Sequence, residues 1–326
     1  MRAFDFKAPA DLEAARTALS AGGASAVAGG TSLVDLMKLG VERPRAVVDI
    51  NALPLTGIER VENTVRIGAL VRNSDAAYDA LVAESFPVLS QALLAGASAQ
   101  LRNMATMGGN LMQRTRCTYF RDTDWACNKR VPGSGCSAIE GVNRNHAVLG
   151  AGEACVAVHP SDMSTALAML DAQIVVAGDH GERRIAFADF HREPGATPNI
   201  ETTLAPGELI LGIVLPLTPF FRNSAYVKIR DRASYAFALA SAAVALDVQG
   251  GTIAAARVAL GGVATKPWRS SEAEAALVGR PATRDTYRAA ADAALAHARP
   301  LRDNAHKIPF AKRALVRALE TIGVNA

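Results

Sequence analysis

Four cysteines carry the most conspicuous chemistry in this sequence. Cys117, Cys127, Cys136 and Cys155 fall within 39 residues, in the spacing C-x9-C-x8-C-x18-C, and the other 287 positions hold none. Four thiolates can hold zinc, a 4Fe–4S cluster or two disulfides, and a thiol in an apolar run such as that around Cys155 can simply stay inert. Structural zinc sites usually carry paired C-x2–4-C ligands, and no such pair occurs here. Disulfides need an oxidising compartment. Met1–Lys7 carries charge without an apolar stretch, so no secretory signal is expected. An iron–sulfur cluster tolerates varied spacing. Charge gathers in the same stretch. Residues 101–145 hold Arg102, Arg114, Arg116, Arg121, Lys129, Arg130 and Arg144 against Asp122, Asp124 and Glu140, which accounts for the whole net charge of +4. Local cations of this kind would stabilise an anionic cluster; a basic loop docking an acidic partner is the other reading. Tyr119 and Trp125 would shield the cluster or face the partner.

Two glycine turns offer a second kind of chemistry. Ala28-Gly29-Gly30-Thr31-Ser32-Leu33 reads as the end of a strand, a tight turn and a helix start. Successive backbone N–H groups in such a turn, with a helix N-terminus behind them, suit a phosphate or pyrophosphate. Ser32 is placed to cap that helix, with Asp35 as an imperfect capping box. The G-x-G-x-x-G fingerprint is missing, so a Rossmann fold is not supported. Thr106-Met107-Gly108-Gly109-Asn110 is the second turn, with a hydroxyl and an amide for phosphate or ribose. His159, before Pro160, reads as a turn histidine, and Trp268 as packing at a domain edge. No Ser-His-Asp set or carboxylate pair stands out, so no catalytic side chain is assigned.

The elements that must position these residues alternate. Helical spacing marks Asp11–Ala21, Ser32–Leu39, Asp75–Leu94 with a break near Pro87, and Ser164–Leu170. Strand signals mark Ala24–Ala28, Ala46–Ile50, Thr64–Ile67, Ala147–Val158 and Ile174–Val176. Residues 111–147 keep neither period, and a long structureless stretch of this kind is usually functional. Pro216 and Pro219 mark a boundary near 218–223. Beyond it come strands at Tyr226–Ile229, Ala240–Val248 and Ala256–Leu260, then helices at Glu272–Leu277, Arg284–His297 and Phe310–Ile322. The expected class is α+β. The chain of 326 residues is half hydrophobic and 20% charged, which excludes disorder. Its longest apolar run, Ala236–Val248, ends in Asp247 and is too short to span a membrane. Aromatics at 5% and the absence of a binding motif exclude nucleic acid.

The ordered set Ala28–Leu33, Ile67-Gly68-Ala69, Thr106–Asn110, His159-Pro160-Ser161-Asp162, Lys228-Ile229-Arg230-Asp231-Arg232 and Leu260-Gly261-Gly262 resembles the FAD-binding subunits of molybdenum hydroxylases of the xanthine dehydrogenase family. Among them it is most similar to the flavin subunits of bacterial periplasmic aldehyde oxidoreductases. The resemblance implies a two-lobed FAD-binding fold of the vanillyl-alcohol oxidase and CO dehydrogenase flavoprotein type over residues 1–221, with a cysteine-bearing insertion at about 111–155. A small α+β domain would occupy residues 222–326. It implies that the backbone around Gly29, Gly30, Thr31, Ser32 and Leu33 and around Gly108, Gly109 and Asn110 holds the FAD pyrophosphate, with Ala28, Gly68 and Thr106 also among the cofactor-binding residues. Asp162 would bond the ribose or adenine end, and Lys228 would lie near the flavin ring. Asn110 and Asp162 stand 52 positions apart, where relatives without the extra cluster have a short segment. The resemblance thus makes Cys117, Cys127, Cys136 and Cys155 ligands of a 4Fe–4S cluster. The implied function is electron transfer from a 2Fe–2S small subunit through FAD to an external acceptor, with substrate oxidised in a molybdopterin-binding large subunit of a heterotrimer. Co-export to the periplasm within that complex is implied, with cytoplasmic residence the alternative. The sequence departs from the pattern at His306-Lys307-Ile308-Pro309-Phe310. Two other readings of the residues are a zinc-stabilised interaction module and a stand-alone flavin oxidoreductase.

Overall fold

A computed structural model describes residues 1–323. The chain begins with a small parallel sheet in the order Asp5–Lys7, Ala46–Asp49, Ala24–Val27. The helix Leu12–Ser20 covers it, with Asp11 accepting from the Ala14 N–H at 2.8 Å as its N-cap. This lobe carries the first glycine turn at the exit of the strand Ala24–Val27.

The second lobe is a five-stranded antiparallel sheet. Its order is Ile58–Val61, Thr64–Gly68, Leu209–Pro216, Gln173–Gly178, Gly181–Ala186. The central strand Leu209–Pro216 is an unbroken apolar run buried on both faces, the pattern that separates poorly from a buried helix in sequence. Asp75–Leu94 resolves into three helices, Asn73–Tyr78, Ala80–Ser85 and Pro87–Ala95. Proline at the first position of the last one fits its fixed backbone angle. Phe86, Leu89, Met107, Leu167 and Phe190 centre the core beneath this sheet.

The C-terminal part is an antiparallel sheet in the order Trp268–Arg269, Thr252–Gly261, Ala240–Gln249, Ser224–Ile229. Both its faces are covered. Along one strand Ala242, Val244 and Leu246 face the helices Ser271–Leu277, Arg284–Ala294 and Lys307–Gly323, while Ala243 and Ala245 join the core of the five-stranded sheet. The strand period of two divides these small residues between two cores. Trp268 packs against the edge of the helical core.

The expectation of a strand over Ala147–Val158 is corrected. The segment forms only isolated bridges, Leu149 to Ala264 and Gly152 to Cys155. It is nonetheless buried at Ala147, Val148, Leu149 and Val156, so its apolar signal came from burial as a covered loop. The insertion holds two four-residue helices, Thr118–Arg121 and Ser137–Glu140.

Candidate functional site

The two glycine turns meet. A Cβ on Gly29 would lie 1.8 Å from the Met104 carbonyl oxygen, so only glycine lets the first turn press on the segment leading into the second. Next to this join opens a cavity of about 1070 Å³. Thr31 and Ser32 form one side, Gly109 and Asn110 another, and Ser161 and Asp162 a third. Sequence motifs 130 residues apart thus line one space.

The turns offer different groups to it. The backbone N–H groups of Gly29, Gly30, Thr31, Ser32 and Leu33 have no acceptor among the described residues. Gly30 has φ +71, which suits glycine and helps point successive N–H groups into one concavity. Five unpartnered donors at a helix start fit a pyrophosphate. Ser32 adopts helical angles and makes no side-chain cap, which corrects the capping-box expectation. The second turn is the reverse. Thr106 is buried and caps its helix by accepting from the Gly109 N–H at 3.2 Å. The N–H groups of Met107 and Gly108 donate to the carbonyls of Val71 and Ala69. This turn therefore presents the Gly109 backbone and the Asn110 side chain, not free N–H groups. The Asn110 Oδ1 accepts from Ser161 Oγ at 2.7 Å, which ties the second and third sides together. Gly68 stands away from the cavity lining, and its Cβ would meet the Leu55 carbonyl oxygen at 2.1 Å.

Asp162 and Lys228 form a buried ion pair at 2.7 Å. The other Asp162 oxygen accepts from the Tyr226 hydroxyl. Burial, then the Asp162 charge, pushes the Tyr226 pKa well up. Lys228 also donates to the Ala95 carbonyl at 3.0 Å. Asp162 lines the cavity and Lys228 lies behind it, so the two share one point of the wall, where the resemblance placed one at the ribose or adenine end and the other near the flavin ring. Two further wall residues escaped sequence reasoning. Asn73 is buried with an unpartnered Oδ1, and Arg102 donates to the Gly96 carbonyl at 2.7 Å. Neither belongs to a motif; only the fold brings them in.

His159, in the cavity wall, meets His191 behind it, Nε2 to Nε2 at 3.2 Å. The His191 Nε2 also faces the Leu111 carbonyl at 3.1 Å. A neutral pair satisfies this geometry, since one ring must present a lone pair to the other. Burial lowers the His159 pKa well below its usual value and brings His191 to about 4. Both depressed values make the unfolded state the better proton acceptor. Stability is therefore full above about pH 6.5 and falls as pH drops towards about 4, by up to about 1.4 kcal/mol per unit for each ring. Urea unfolding at pH 7, 5.5 and 4.5 should show this loss. His191→Phe, in a site already lined by Phe187 and Phe190, should flatten part of it. An unchanged slope excludes the assignment.

The insertion forms the remaining wall. Cys117, Arg116, Arg121 and His146 line the same cavity. All four cysteines are free thiols. Cys127 and Cys136 face each other across an antiparallel bridge, and Cys117 packs with Cys127 against Phe120 and Leu36. Burial pushes the Cys117 thiol up to about 12 and raises Cys155 as well. As the side chains stand, no three His, Cys, Asp or Glu groups among the described residues converge in a metal-binding arrangement. The four free thiols on one insertion are, by ligand type and number alone, the donor set that a four-cysteine cluster would need. Much of the basic surplus is met from outside. Asp35 accepts from Arg116 at 3.0 Å and Arg121 at 2.8 Å, and Glu42 and Glu201 hold Arg114. Arg130 caps the carbonyls of Tyr119 and Phe120. Through Asp35 and Glu42 these cations fasten the insertion to the first lobe, and through Glu201 to the second, while Arg130 braces the insertion internally.

A family model described as the FAD binding domain in molybdopterin dehydrogenase matches residues 2–218, and one for the CO dehydrogenase flavoprotein C-terminal domain matches 224–321. The chain belongs to the FAD-binding subunits of the molybdenum hydroxylases. It is 50% identical to the aldehyde oxidoreductase FAD-binding subunit PaoB of Escherichia coli (strain K12), over 98% of each chain. Its fold matches carbon monoxide dehydrogenase of Hydrogenophaga pseudoflava with a TM-score of 0.78 and 28% identity, covering 100% of this chain and 99% of that one. Quinoline 2-oxidoreductase of Pseudomonas putida 86 matches with a TM-score of 0.77 and 25% identity, covering 100% and 98%. This molybdenum hydroxylase subunit is thus an oxidoreductase subunit with the FAD-binding and CO dehydrogenase-type C-terminal architecture that its motifs implied. No helix among its described residues is long and apolar enough to cross a membrane.

Proposed function

We propose that this chain is the electron-transfer subunit of a molybdenum-containing aldehyde oxidoreductase, carrying FAD in the cavity and a 4Fe–4S cluster on Cys117, Cys127, Cys136 and Cys155. Its partners are a molybdopterin-binding large subunit, where substrate is oxidised, and a 2Fe–2S small subunit. One observation carries the reading: the wall with unpartnered N–H groups and the wall bearing Cys117 enclose the same cavity. When bound, FAD would supply redox exchange between the 2Fe–2S partner and an external acceptor, and the cluster would either relay single electrons or order its loop.

The chain's own residues bind and orient. Gly29–Leu33 direct N–H groups at the pyrophosphate. Gly109 gives close backbone approach from the opposite side, and Asn110 offers its amide. Asp162, held by Lys228 and Tyr226, fixes the wall at the ribose or adenine end. No side chain acts as acid or base. We place the domain division at 221/222; the second domain's last three positions lie outside the described residues. The identity to PaoB over nearly the full length supports aldehydes as the substrate class of the complex. Co-export to the periplasm with the partners is the location we propose, as the family resemblance implies.

Purification of the intact complex under anaerobic, iron-replete conditions tests this reading. Flavin absorbance and about four irons beyond those of the 2Fe–2S partner are expected. Absence of flavin refutes it. Cys127→Ser should lower iron and sulfide while flavin stays; unchanged iron removes the cysteine assignment.

A further inference from the structure

The cysteine insertion is held from behind by residues 301–307. Asn143 closes the turn after Cys136, donating from Nδ2 to the Ile139 and Gly141 carbonyls at 3.1 and 3.3 Å. The Asp303 N–H donates to Asn143 Oδ1 at 2.9 Å. Asn304 Nδ2 donates to the His146 and Ala147 carbonyls, both at 3.2 Å. Lys307 Nζ donates to the carbonyls of Asn145 at 2.9 Å and His146 at 3.2 Å. Asn143, Asn304 and Lys307 are all 0% exposed.

Lys307 is unusual in this group. Its ammonium meets carbonyl oxygens and no carboxylate among the described residues. Burial, and then the Arg144 charge, pushes its pKa down to about 7, as expected of a cation without a counter-ion; an anionic cluster bound nearby would favour its charged form. From the peptide it holds, the buried His146 ring places Nε2 3.1 Å from Cys117 Sγ, and its Nδ1 has no partner. The Nε2 contact is thus made to a sulfur.

We infer that His146 and Lys307 are positioning residues for the iron–sulfur cluster: His146 donates its Nε2–H to the Cys117 sulfur, Lys307 fixes the peptide that carries His146 and adds one uncompensated cation behind it, and both raise the cluster's reduction potential. The inference rests on the cluster reading proposed above. A cysteine-ligated 4Fe–4S core is already anionic and gains negative charge on reduction, so N–H donors to its sulfurs and nearby cations favour the reduced form. Burial keeps that cation from being screened by salt.

The test uses the intact complex, with iron and sulfide content, flavin content and an EPR-monitored redox titration. Wild-type complex lacking cluster iron refutes the cluster reading itself, whatever the variants do. With iron retained, His146→Phe and Lys307→Met should each shift the reduction equilibrium at least about tenfold towards the oxidised form, which is about 59 mV for a one-electron couple. Lys307→Arg should stay within about threefold of wild type. Full iron with an unchanged equilibrium in the Phe and Met variants overturns the inference. Where Lys307→Met loses iron but keeps flavin, iron restored by Lys307→Arg supports the inference and iron lost in both overturns it. Should Lys307→Met fail to fold, His146→Phe decides by the same criterion.

Discussion

Replacing Asp162 with alanine should lower the unfolding free energy by about 3–5 kcal/mol and strip the subunit of flavin. The Asp162 side chain is 7% exposed and that of its Lys228 partner only 3%. Removing one member leaves the other charge buried with the Ala95 carbonyl as its main remaining contact. The Tyr226 hydroxyl loses its acceptor at the same time. The damage extends beyond the pair because Asp162 opens the helix Asp162–Met169 on the FAD side, while Tyr226 and Lys228 lie on the strand Ser224–Ile229 of the C-terminal sheet. Electrostatic failure there loosens the seam where Tyr226, Ala243 and Ala245 of the C-terminal sheet join the core beneath the five-stranded sheet. Lys228→Met alone should be damaging for the mirror reason, a buried carboxylate without its cation. The double variant Asp162→Asn with Lys228→Met should recover part of the loss, since no bare charge remains. Urea unfolding and flavin absorbance of the three proteins check this. A stable, flavin-loaded Asp162→Ala protein would show that the pair neither supports the seam nor shapes the cavity.

How far the sequence alone reached depended on whether a feature was local. Asp11–Ala21 was legible because capping aspartate and helical spacing agree within a few residues. The ordered glycine motifs were legible as a family pattern, and the comparisons bear out both the family and its fold. The strand Leu209–Pro216 was missed because its residues are apolar on both faces and carry no alternation. Ala147–Val158 was misread for the opposite reason: apolar residues covering a core look like a strand until their backbone partners are known. At the site, motifs identified the two turns but not what each offers. Thr106 looked like a ligand hydroxyl, yet its own helix uses it as a cap. The surplus of arginine around the cysteines looked like a cluster environment. Distant acids such as Asp35 and Glu201 take up much of it, and no local pattern announces a contact 81 or more positions away. Asn73, Arg102 and the Asn304–Lys307 clamp were invisible for the same reason.

A methyl group at Gly29 and one at Gly109 should fail in different ways, and the difference separates building the cavity from filling it. At Gly29 the new Cβ would stand 1.8 Å from the Met104 oxygen and 2.6 Å from its carbonyl carbon. Both are backbone atoms that Arg72 already holds, through a bond to the same oxygen. The strain cannot be relieved by a rotamer, so the turn must part from residues 104–105. A cost of about 1–3 kcal/mol or more is expected, in the range of overpacked cores. The free N–H groups of residues 29–33 then lose their common aim, and flavin binding fails together with stability. At Gly109 the Cβ would meet only the Thr106 hydroxyl, at 3.0 Å. Gly109 lies in the helix Met107–Leu111, where alanine is intrinsically favoured over glycine by about 1 kcal/mol. Stability should therefore stay within about 1 kcal/mol of wild type. The methyl nevertheless stands where backbone would approach the ligand, so FAD affinity should fall at least about tenfold. Thermal unfolding paired with a fluorimetric FAD titration distinguishes the two cases. Equal affinity in Gly109→Ala would mean that the second turn supports the wall without touching the cofactor, leaving Asn110 as that turn's single contact.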